Sequence, residues 1–89
     1  MTSKVKSEGQ TIEQRFEEAA ARIDAVAREV ELATKHLETT ALRFREHEPA
    51  RAGAHGYAAF GHLARALRLL EAEAHSFAAH SEPAAESDN

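Results

Sequence analysis

At 89 residues, with 43% hydrophobic content, no cysteine, no tryptophan and a formal charge of −4, the chain is a single small domain near the lower size limit for burying its own core. The missing cysteine excludes disulfides and thiolate metal sites, and fifteen acids against eleven bases argue against a general electrostatic hold on nucleic acid. No apolar run is long enough to cross a bilayer, and the opening MTSKVKSEGQ lacks the apolar core of a signal peptide, so a cytoplasmic location and no membrane contact are expected. Abundant alanine, with arginine outnumbering lysine, is a composition associated with GC-rich bacterial genomes.

Residues 1–9 are polar, mixed in charge and read as a disordered arm. Thr11 then opens a T-x-x-Q capping box with Gln14, and Glu13 suits the positive end of a helix dipole, so a helix is expected to start there. From this point Ile12, Phe16, Ala19, Ile23, Val26, Val30, Ala33, Leu37, Thr40 and Phe44 recur at alternating spacings of four and three, a heptad stripe. Ala20, Ala27, Thr34 and Ala41 widen it beyond a two-stranded seam, which favours a bundle. Pro49 disfavours helical geometry at Glu48, so the first helix is expected over about 11–47.

A second stripe follows, Gly53, Gly56, Phe60, Leu63, Leu67, Leu70, Ala74 and Phe77, flanked by alanines, which predicts a helix over about 50–80. Residues 50–56 are readable as helix or as an extended loop, because Gly53, Gly56 and Gly61 each weaken a helix. The tail, residues 81–89, is again disordered and acidic in this reading, leaving 10–80 as the folded domain.

Two long helices with a short connection predict an all-α antiparallel hairpin. If the bend is centred near Pro49, Leu37 faces Phe60, Val30 faces Leu67 and Leu70, Ile23 faces Ala74 and Phe77, and Gly53 and Gly56 give clearance to Phe44. One face of such a hairpin stays uncovered, so dimerisation into a four-helix bundle is expected. The core and oligomer contacts are assigned to Phe16, Ile23, Val26, Val30, Leu37, Phe44, Phe60, Leu63, Leu67, Leu70 and Phe77.

Chemistry-bearing patterns are sparse. There is no G-x-S-x-G and no phosphate-cradling loop, so no enzyme, no catalytic residue and no cofactor is expected. Six histidines, His36, His47, His55, His62, His75 and His80, invite a metal reading, but none has an acid three residues before it. The sharpest version is a site made by His36 and His62 across the hairpin; the plainer reading is solvated imidazoles and no metal.

Arg43, Arg45 and Arg51, with His47 and His55, form a basic cluster at the bend that offers a nucleic-acid alternative, against the acidic balance of the whole chain. Leu32, Leu42 and Leu69 lie off the stripes and offer a contact for an unidentified protein partner. The leading expectation is a non-catalytic interaction or regulatory protein that acts as a homodimeric bundle.

Overall fold

A computed structural model describes residues 9–81, so most of the arm and of the tail lies outside the described residues. The chain forms two long helices, α1 (Ile12–Arg45) and α2 (Pro49–Ala79), packed along one another as a helical hairpin. The start of α1 is the predicted capping box: the Gln14 amide donates to Thr11 Oγ1 at 3.0 Å, and the Thr11 amide donates to Gln14 Oε1 at 2.7 Å.

The bend is a Schellman motif centred on His47. Glu46 caps α1, His47 takes a left-handed φ of 63°, and the His47 and Glu48 amides donate to the carbonyls of Phe44 and Arg43 at 3.0 and 2.9 Å. Glycine is the usual residue at such a position because it has no Cβ to clash, so a histidine there holds a strained backbone. Pro49 then opens α2, where its missing N–H costs nothing. Residues 50–56 are therefore helix, not loop.

The contact between the helices is made by small side chains. The buried residues are Val26 and Ala33 of α1 and Ala52, Ala59 and Ala66 of α2, and the four alanines are at most 4% exposed. Each alanine removes only a methyl group from water, about 0.8 kcal/mol apiece, so what the seam provides is close approach and not bulk. This corrects the expected facing of Leu37 with Phe60 and of Val30 with Leu67 and Leu70: alanines occupy the interval between the helices, and those large side chains lie outside it. Because the turn centres on His47 and not on Pro49, partners on α2 also come earlier than expected. Arg22 meets Glu73, and His36 reaches His55 in addition to the expected His62.

The glycines are corrected in the same way. A Cβ at Gly53 would touch nothing within 4 Å, and one at Gly56 would make ordinary contact, 3.8 Å, with Thr40. Neither is a clearance for Phe44.

Helical geometry then fixes what lies on either side of the seam. Continued by heptads, the seam columns run through the half-buried Ala19 and Thr40 on α1 and Glu73 on α2. Four residues beyond these positions lie Ile23, Val30, Leu37 and Phe44 on α1, and Gly56, Leu63, Leu70 and Phe77 on α2. Because the helices run in opposite directions, both sets fall on the same face of the hairpin. Three residues beyond the seam columns lie Arg22, Glu29, His36 and Arg43 on α1, and His55, His62, Leu69 and Ser76 on α2, which fall together on the other, mostly polar face.

Two expected outcomes follow from this geometry. His47→Gly raises the unfolding free energy by about 0.5–1 kcal/mol in urea titration, because the left-handed position no longer carries a Cβ. Ala59→Leu lowers it by about 1–3 kcal/mol, because the added carbons must force the helices apart.

Candidate functional site

The two faces separated by the alanine seam differ in chemistry, and each is a candidate site. On the polar face, three imidazoles form one layer. His36 Nδ1 and His55 Nδ1 are 3.1 Å apart, with ring centroids at 5.3 Å. The His62 ring stacks on His36 with centroids at 5.5 Å and planes inclined by 14°. The expected meeting of His36 with His62 is thus present, and His55 joins it. His55 follows Ala52 by three residues as His62 follows Ala59 and His36 follows Ala33, a relation that becomes readable only once the alanines are known to form the seam.

Glu29 anchors the lower end of this layer. His62 Nδ1–H donates to Glu29 Oε1 at 2.7 Å, and Arg65 Nη1 lies 3.3 Å from the same oxygen. The carboxyl is held below its usual range, first by the His62 hydrogen bond and then by Arg65, against the opposing effect of desolvation. An ionised carboxylate only accepts, so neutral His62 places its proton on Nδ1 and leaves Nε2 as a free acceptor.

The remaining histidines stand apart. His47 forms the turn, and His80 Nδ1–H donates to the Ser76 carbonyl at 2.8 Å, an end-of-helix bond. Ser76 Oγ is 3.5 Å from that same nitrogen. The nitrogen is engaged by the carbonyl, so the pair is not arranged as a nucleophile and its base.

At the bend, Arg43 Nη1 pairs with Glu46 at 2.8 Å and lies 3.6 Å from Glu48, while Arg51 lies 3.5 Å from Glu48. The basic cluster seen in the sequence is therefore interleaved with two carboxylates that offset much of its charge.

The opposite face is apolar. Of the eleven residues assigned to core and oligomer contacts, Val26 is buried and Ile23 is half-buried. The other nine, Phe16, Val30, Leu37, Phe44, Phe60, Leu63, Leu67, Leu70 and Phe77, are between 38% and 66% exposed in the single chain. Leu32, Leu42 and Leu69 are also exposed, but their helical positions lie away from this face.

No known protein family matches the chain, and comparison with curated proteins and with solved structures finds no match. Among the described residues, no helix is long and apolar enough to cross a membrane.

The Glu29 network has a sign that can be tested. A carboxyl held below its unfolded value adds stability at higher pH and loses it as the pH falls from about 4.5 through the folded value. Thermal midpoints of the parent chain are therefore expected to fall more steeply with acid in this window than those of Glu29→Gln. Superimposable acid curves would remove Glu29 from the account.

Proposed function

We propose that this protein is a non-catalytic interaction or regulatory protein that works as a homodimer, two hairpins packed on their apolar faces as a four-helix bundle. The observation that carries this reading is the contiguous exposure of nine large apolar side chains on one side of a hairpin whose own seam is made mostly of alanine. Together they expose on the order of 900 Å², more than soluble monomers ordinarily leave open and close to the roughly 800 Å² per partner of a stable protein interface.

A second copy is the occupant best suited to this surface. It has the same heptad spacing and the same length, and an isologous pairing would set the apolar face of one hairpin against that of the other. The arginines at the bend support a protein contact over nucleic acid, because Glu46 and Glu48 lie among them. In this reading the outer, charged columns of the bundle, or Leu32 and Leu69 beside the polar face, remain for a further protein partner.

Sedimentation of the full chain tests the assembly, with a dimer as the expected species. Val30→Asp, at the centre of the apolar face, is expected to give monomers with reduced helicity, since burying an unpaired carboxylate in the interface costs several kcal/mol. A monodisperse, fully helical monomer of the parent chain would refute the bundle.

A further inference from the structure

The imidazole layer contains more than a two-helix seam needs for packing. We propose that His36 and His55 form a site for a divalent transition-metal ion that prefers imidazole, zinc or copper, clipped between α1 and α2 on the polar face.

The first argument is distance. Two ring nitrogens that bind one zinc at 2.0–2.1 Å lie about 3.3 Å apart at the tetrahedral angle. His36 Nδ1 and His55 Nδ1, contributed by different helices, are already 3.1 Å apart.

The second argument is protonation. As placed, one of these rings donates its Nδ1–H to the bare Nδ1 of the other. When the donor ring moves that proton to its own Nε2, both Nδ1 lone pairs become available to an ion lying off the line between them. The rings must tilt to aim at it, and no proton leaves the pair while both imidazoles are neutral. Imidazole donors suit zinc and copper, whereas magnesium and calcium prefer oxygen.

The surroundings fit an ion that can enter and leave. Both rings are half-buried, so water can complete the coordination. The buried alanines Ala33 and Ala52, three residues before each ring, hold the two backbones close, so only the rings need to move to receive an ion. His62 stacks on the His36 ring and is itself held in place by its hydrogen bond to Glu29. Among the described residues no three His, Asp or Glu side chains converge as placed, so the proposed site has two protein ligands.

The site is independent of dimerisation and is tested separately. The full chain is titrated with zinc chloride and with copper sulfate, following heat and thermal midpoint. One ion per chain is expected, with a midpoint that rises with metal concentration. His36→Ala and His55→Ala are each expected to weaken binding at least about tenfold, since either leaves a single ligand. The triple variant His47→Ala, His75→Ala, His80→Ala is expected to bind as the parent does.

A nitrogen-15 spectrum of the histidine rings in the parent chain covers the case in which a variant fails to fold. Zinc should move the Nδ1 resonances of His36 and His55 and leave those of His47, His75 and His80 in place. Absence of binding at about 100 µM metal overturns the site, as does binding that survives both single variants, or shifts confined to the other histidines.

Discussion

Everything else in this molecule depends on how closely α1 and α2 approach. Ala33 on one helix and Ala52, Ala59 and Ala66 on the other leave no side chain longer than a methyl between the backbones at those positions, with Val26 as the largest buried group. Larger side chains cannot enter such a seam without separating the helices, so the phenylalanines and most of the leucines are displaced to one side of it and the imidazole groups and interhelical ion pairs to the other. A small-residue contact thus sorts the chain into two chemically opposite faces.

Helix α2 shows how much this seam contributes. It has no side-chain cap, no acid in its first turn, and Gly53, Gly56 and Gly61 within its first half, all unfavourable to a helix in isolation. Burial of Ala52 and Ala59 against α1, and the turn that delivers Pro49 in helical register, offset those costs. The turn is itself a compromise, since His47 adopts a left-handed backbone that glycine would adopt with less strain. Arg43 and Glu48, at the positions where a Schellman turn often has an apolar contact, lie within ion-pair distance of each other.

The two faces also explain why a small chain carries so many polar interactions between its helices. Arg22 with Glu73, Glu29 with His62 and Arg65, and His36 with His55 all lie along one side of the seam, and they fix the register of a contact that alanine alone would leave free to slide. Apolar surface on the other side adds little to the single hairpin. Its value is realised only when something covers it, which connects the thinness of the seam to the proposed assembly.

Much of this was legible in the sequence, for local reasons. Thr11 and Gln14 specify a helix start through bonds within one turn, Pro49 restricts its own neighbour, and the four-and-three spacing specifies two amphipathic helices whatever they pack against. The meeting of His36 with His62 was readable too, because antiparallel pairing across a short bend leaves few registers. What the sequence left open was which stripe meets which. Periodicity marks an apolar face about 100° wide, and within it Leu37 and Ala33 are equivalent candidates for the seam. Only the packed pair decides between them, because the distance of approach is a property of both helices together. That choice buried the alanines, moved the bend to His47, brought His55 to His36, and left the phenylalanines facing outward.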